Sequence, residues 1–336
     1  MNLPDAAPVL DLIDAFRGSK AMFTAAAMGL FDRLHDAPST AADLAAQTGA
    51  HAGAMERLLD GLAALGLLEK RDAVYRNGPV AETYLWSGSP HSLDGYVRYS
   101  DDALYRMWGD LEGAVREGAP RWQAVFGIEG GIFSGFFRTE EAKRAFLRGM
   151  HGFGMLSSPR VVEAFDLSGY RQMVDLGGAT GHLVLAACER YPELRGVVFD
   201  LPQAAALAEE YRALSPVADR VEIRSGDFFE DELPRADLYA VGRILHDWPD
   251  EQIERLLSKI AGTLPANGAL LVAEKLLAED GVGPVAVNLQ SLNMLVVAEG
   301  RERSLTDYAR LLRKAGFRDV EGRRTGSPLD AILARK

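Results

Sequence analysis

MVDLGGATGH, residues 173–182, reads as a short buried strand (Met173 to Leu176), a glycine turn, and the start of a helix running from His182 to Arg190. A strand feeding a helix through glycines opens a βαβ unit, and the chain downstream repeats the alternation. Gly196 to Asp200, Val221 to Ser225, Leu238 to Val241 and Ala269 to Glu274 are the next strand candidates. Between the last two, Ile253, Leu256, Leu257 and Ile260 share one helical face. Ser304 with Asp307 caps a further helix that stops at Gly316, and Leu329 to Lys336 supplies a final strand. The pattern predicts an α/β fold over residues 169–336, a Rossmann-like, doubly wound parallel sheet.

Upstream the character changes. Residues 1–100 read as helices punctuated by turns: Pro38-Ser39-Thr40 with Asp43 starts one as a capping box, and Gly49 stops it. Met55, Leu58, Leu59, Leu62 and Leu65 form the apolar stripe of the next, and Leu67 to Tyr75 gives two short extended runs about a turn at Arg71-Asp72. This is a mostly helical winged-helix unit, which serves either to read DNA or to pair chains. Charge separates the two. Residues 1–100 hold 8 Lys/Arg against 12 Asp/Glu, and the would-be recognition helix offers only His51 and Arg57, so the phosphate clamps of a groove reader are missing. Leu10 to Phe16 and Ala21 to Leu30 look like faces for a partner chain, and a homodimer is expected. Residues 101–168 read as a helical linker rich in aromatics and methionines, broken at Gly127–Gly131 and at Gly149–Gly154. Most of these side chains suit a core, and some suit the wall of a pocket for a flat ligand.

Bulk properties narrow the class. The 336 residues, 48% hydrophobic and 25% charged, are those of an ordinary globular chain of about two domains. A net charge of −11 disfavours nucleic acid and anionic membranes as partners. The single cysteine, Cys188, the acidic N-terminal stretch and the lack of a long apolar run fit a cytoplasmic protein.

The glycine turn is the wrong one for phosphates. A dinucleotide fingerprint from Gly177 needs glycine at positions occupied by Ala179 and His182, and a P-loop needs a lysine that is absent. Asp200, ending the second strand, suits the hydroxyls of a ribose, and Asp227 beside Phe228, after the third, suits an adenine. Adenine and ribose without phosphate, in an acidic cleft, fit S-adenosylmethionine, whose sulfonium is positive.

Nine strings carry a resemblance: FDLSGY (165–170), DLGGATG (175–181), VFDLP (198–202), GDFF (226–229), LPRADLY (233–239), RILHDWPD (243–250), QSLNMLV (290–296), EGRERSL (299–305) and LDAILARK (329–336). In these, segment 165–336 resembles the class I S-adenosylmethionine-dependent O-methyltransferases of the acetylserotonin/caffeic acid O-methyltransferase family, in particular the acetylserotonin O-methyltransferase-like proteins. The N-terminal unit is similar to that family's dimerisation domain. The resemblance implies a homodimeric enzyme of secondary metabolism with Gly177 near the methionine part of the cofactor, Asp200 on the ribose, Asp227 and Phe228 at the adenine, and Arg243 as a further cofactor contact. Ala179 departs from it, standing where the family usually has a third glycine.

Methyl transfer to oxygen needs the acceptor aligned and its proton removed. A phenol of pKa about 10 is a weak nucleophile at pH 7, and an imidazole near 6.5 can take its proton in the transition state. His246 is the expected base, with Glu274 and Glu302 matching the two acids that flank the base in the family. Asp247 and Asn293 are expected polar contacts to the acceptor, with Met294, Met150 and Met155 as walls. Cys188 and the remaining histidines show no metal-ligand spacing, so no metal is expected. The reading is an O-methyltransferase acting on a hydroxyl of an aromatic or polycyclic small molecule. Transfer to nitrogen, sulfur or carbon on the same scaffold, or a relative that binds the cofactor without transferring its methyl, are the alternatives.

Overall fold

The computed structural model describes residues 3–130 and 132–336. Met1, Asn2 and Gly131, the last residue of the first glycine-rich stretch, lie outside the described residues. The chain divides into two compact units, Met1–Ala103 and Leu104–Lys336.

In the first unit, helices Leu30–Asp36, Ala41–Thr48 and Ala52–Ala64 accompany a small sheet of β1 (Ser39–Thr40, between the first two helices), β2 (Leu68–Arg71) and β3 (Val74–Asn77), ordered β1-β3-β2 and antiparallel. The Thr40–Asp43 capping box forms, and Gly49 closes that helix at φ +68°. Leu30, Phe31, Leu44, Met55, Leu59, Leu62 and Tyr75 make the core. The stripe of the last helix ends at Leu62, because Leu65 caps the helix and is 52% exposed. The hairpin turn sits one residue later than expected: Asp72 and Ala73 both take positive φ (48° and 63°), the two-residue geometry whose twist matches the strands. Ahead of this core, helix Ala7–Ala27 leaves Val9, Leu10, Leu12, Ile13 and Phe16 exposed.

The second unit holds β4 (Gln172–Leu176), β5 (Arg195–Asp200), β6 (Val221–Ser225), β7 (Leu238–Gly242), β8 (Ala269–Glu274), the short parallel pair β9 (Leu276–Leu277) and β10 (Arg303–Ser304), and β11 (Asp319–Arg323) and β12 (Asp330–Arg335). The seven-stranded sheet runs β11-β12-β8-β7-β4-β5-β6. β4 to β8 are mutually parallel, while β12 lies antiparallel to both β8 and β11. The sheet is therefore parallel through its centre and mixed at one edge. Alternate residues of the central strands enter different cores: Val174, Val197, Tyr239 and Leu270 on one face, Met173, Val198, Leu238 and Leu271 on the other. Both faces are covered, so these strands read as continuous apolar runs.

A further expectation is corrected. Gly149–Gly154 is not a break but lies inside the continuous helix Glu140–Glu163. Gly154 is there for closeness: a Cβ on it would lie 2.3 Å from the imidazole of His182. The strand β11 went unread because its side chains alternate between exposed and half-buried at the sheet edge, with Gly322 inside. Among the described residues no helix is long and apolar enough to cross a membrane.

Candidate active site

The strand order reverses at β4, which has β5 on one side and β7 on the other, and a cleft opens at the carboxyl ends of these strands. Gly177, Asp200, Asp227, Phe228, Arg243, Asp247 and Met150 all line it. Gly177 turns at φ +68°, and a Cβ there would stand 2.4 Å from Ile244 Cδ1, so glycine keeps this floor open. Ala179 takes φ +49°, a left-handed backbone that costs an alanine about 1 kcal/mol. Its N–H donates to Asp200 Oδ2 at 2.7 Å, while Leu201 N–H donates to Oδ1 at 2.6 Å. Burial pushes the Asp200 carboxyl up to about 6 against those two donors. Burial, with Asp200 nearby, pushes Asp175 higher, to about 8, and its Oδ2 has no hydrogen-bond partner.

Asp227 Oδ1 accepts from Phe229 N–H at 2.8 Å, and the Phe228 and Phe229 rings lie 4.8 Å apart. Arg243 also has a left-handed backbone, φ +57°. Its guanidinium rests 4.5 Å from the Phe153 ring, and Nε and Nη1 are buried without hydrogen-bond partners. Two donors aimed at nothing in a cleft are what an anionic or carbonyl group of a ligand would satisfy. Phe133, Phe137, Phe146 and Trp248 complete an aromatic wall.

Histidines the sequence did not place in the site flank this cleft. His182 lines it and shares a hydrogen bond with Ser158 Oγ at 2.8 Å. His151 shares one with Thr180 Oγ1 at 2.9 Å and stacks on Tyr211. Burial drives His182 down to about 3, helped by His151 and Arg243, and drives His151 down to about 4, so both are neutral. Their isolated positions gave no signal in the sequence.

His246, 3% exposed, follows β7 on a single 3₁₀ turn, Leu245–Asp247. Its Nδ1–H donates to Glu302 Oε1 at 2.7 Å, with Glu274 Oε2 3.5 Å from the same nitrogen and Asp247 Oδ1 3.5 Å from Nε2. The acceptor-only carboxylate fixes that tautomer. Glu274 also accepts the N–H of Ile244 (2.9 Å) and of Leu245 (2.8 Å), so it braces the turn as well as facing the ring. Burial opposes a charge on His246, but Glu274, Glu302 and Asp247 outweigh it and raise the imidazole to about 9. Burial raises Glu274 to about 7 and Asp247 to about 6.

Asp247 and Trp248 also face a second cleft, walled by Trp122, Ile128, Ile132, Val297 and Ala298. Asn293 and Met294 line neither cleft: Asn293 Oδ1 accepts from Trp108 Nε1 at 2.8 Å, and Met294 is buried. Met155 is 38% exposed. One ring nitrogen of His246 and one carboxylate oxygen each of Glu274 and Glu302 lie within 4.8 Å of one another, a grouping that spacing along the chain did not disclose.

A seven-stranded sheet of this order, with acids and a glycine turn at its carboxyl edge and no phosphate cradle, is that of a class I methyltransferase. An O-methyltransferase domain model matches residues 108–318, and an O-methyltransferase dimerisation domain model matches residues 10–87. The chain belongs to this O-methyltransferase family and is a methyltransferase. It is similar to the acetylserotonin O-methyltransferase of Gallus gallus, 40% identical over 96% of this chain and 95% of that protein. It is 41% identical to a probable bifunctional dTTP/UTP pyrophosphatase/methyltransferase protein of Homo sapiens, over 98% of this chain but only 53% of that longer one. The crystal structure of human N-acetylserotonin methyltransferase in complex with S-adenosylmethionine superposes with a TM-score of 0.94 at 39% identity, covering 100% of this chain and 99% of that one.

Proposed function

We propose that this protein transfers a methyl group from S-adenosylmethionine to a hydroxyl of an aromatic or polycyclic small molecule, with His246 as general base. The observation that carries the reading is the 2.7 Å bond from His246 Nδ1 to Glu302, which leaves Nε2 as the proton-accepting atom on the turn whose Asp247 and Trp248 line both clefts. When bound, the cofactor supplies an electrophilic methyl whose leaving group is already good. Asp200 and Asp227 would hold its ribose and adenine, Gly177 would admit its methionine part, and Arg243 would direct its unpartnered nitrogens to it. The open floor at Gly177 and those orphaned donors fit such a ligand.

The chain's remaining work is alignment and proton removal. Phe133, Phe137, Phe146 and Trp248 offer flat apolar walls to a ring, and Asp247 offers an acceptor for a hydroxyl. Glu302 and Glu274 stabilise the imidazolium formed as the acceptor loses its proton, a contribution of about 10²–10⁴-fold for a positioned base. Calorimetry with the cofactor, and mass spectrometry of a panel of phenols and hydroxyindoles including N-acetylserotonin, test the reading. Products gaining one methyl on oxygen are expected. Replacing His246 by alanine should cut turnover by about 10²-fold or more while cofactor binding holds. Full turnover in His246→Ala removes the base, and no heat with the cofactor removes the whole reading.

A further inference from the structure

The turn Ile244–Trp248 is gripped from two sides. Glu274 takes the N–H groups of Ile244 and Leu245. Opposite, Arg303, 1% exposed, donates Nη1 to the Leu245 carbonyl (3.1 Å) and Nη2 to the Trp248 carbonyl (3.0 Å). Its other donors go to the Arg301 carbonyl (Nη1, 3.0 Å) and Asp250 Oδ1 (Nε, 3.1 Å; Nη2, 2.7 Å). Every N–H of the guanidinium is used. Gly300 presses on the same turn: a Cβ there would meet His246 O at 2.2 Å and Trp248 N at 2.5 Å. Between them Glu302 holds the imidazole. Gly300 to Arg303 is thus one docking piece, with contacts on the peptide, the ring and the flanking carbonyls.

We propose that Arg303 is a positioning residue for methyl transfer: by holding the Leu245 and Trp248 carbonyls, it fixes the turn that presents His246 and Asp247 against Glu302. A packed apolar side chain would fill a purely structural site at less desolvation cost than a buried guanidinium. Here the cation makes five hydrogen bonds to four acceptors, and two of these are carbonyls of the turn around His246. Lysine, with three donors and no planar fork, replaces only part of this.

The inference rests on His246 as the base, but its test needs no turnover. In the full chain with isotope-labelled histidine, the His246 ring signal is identified by its loss in His246→Gln, and its titration midpoint is read by NMR. Freed from Glu302, the ring loses the contacts that raise it, so in Arg303→Met the midpoint falls by about one pH unit or more, and in Arg303→Lys by less. A role confined to folding lowers the melting temperature without moving the midpoint of the folded protein. If Arg303→Met does not fold, Gly300→Ala displaces the turn from its other face, and the same fall is expected. An unchanged midpoint in folded Arg303→Met, or in Gly300→Ala where that variant stands in, overturns the proposal. A shifted midpoint in a protein that methylates no acceptor retains the positioning claim and discards the O-methyl reading.

Discussion

His246 gathers three carboxylates around one imidazole, and the sign of their effect has a measurable consequence. The raised value of about 9 means that at neutral pH most of the ligand-free protein holds the imidazole charged, unable to take a proton. The competent neutral form grows as pH rises, so kcat/KM should climb from pH 6 toward about 9 before levelling. Glu302→Gln removes one of the charges that raise the ring, and the climb should move to lower pH as kcat falls. A pH–rate series on both proteins checks this, and a flat wild-type profile rules it out. Much at this scale was legible: Gly177, Asp200, Asp227, Phe228 and Arg243 end or follow strands, and the structure gathers them in one cleft. The partnership of His246 with Glu302 was not legible from spacing, since 56 residues separate them and only the resemblance linked them.

Among the elements, the helix Glu140–Glu163 shows how composition misleads. Gly149, Gly152 and Gly154 look like helix breakers, yet all three are buried within an unbroken helix. Hydrogen bonding and tertiary packing override their low propensity, and at Gly154 the missing side chain admits the neighbouring helix that begins at His182. Gly154→Ala would force a methyl to 2.3 Å from the His182 ring. Overpacking of this kind costs about 1–3 kcal/mol, so a lower melting temperature by calorimetry is expected, with weaker cofactor binding because His182 lines the cleft. An unchanged melting temperature would show that the ring has room to move. The capping boxes at Thr40 and Ser304, by contrast, were readable directly, since both partners lie three residues apart.

For the whole molecule, the exposed apolar row Val9, Leu10, Leu12, Ile13 and Phe16 lies within a segment largely matched by the dimerisation domain model. A patch of this kind is buried in an assembly or drives aggregation. We expect a homodimer that covers it, and Phe16→Glu with Leu12→Glu should lower the mass measured by light scattering toward that of one chain, with the fold of each unit kept by circular dichroism. A dimer of undiminished mass would place the interface elsewhere. By itself the sequence determined what depends on neighbours along the chain: strand and helix periodicity, caps, the non-phosphate glycine turn, the acids at strand ends. It also set the excess of acid that disfavours nucleic acid. Only the tertiary structure decided the antiparallel edge of the sheet, the close passage at Gly154, the neutral His151 and His182, and the Gly300–Arg303 piece against the turn that carries His246. These depend on distances between residues far apart in the chain, and on the burial that sets which charges survive. Local pattern carries neither.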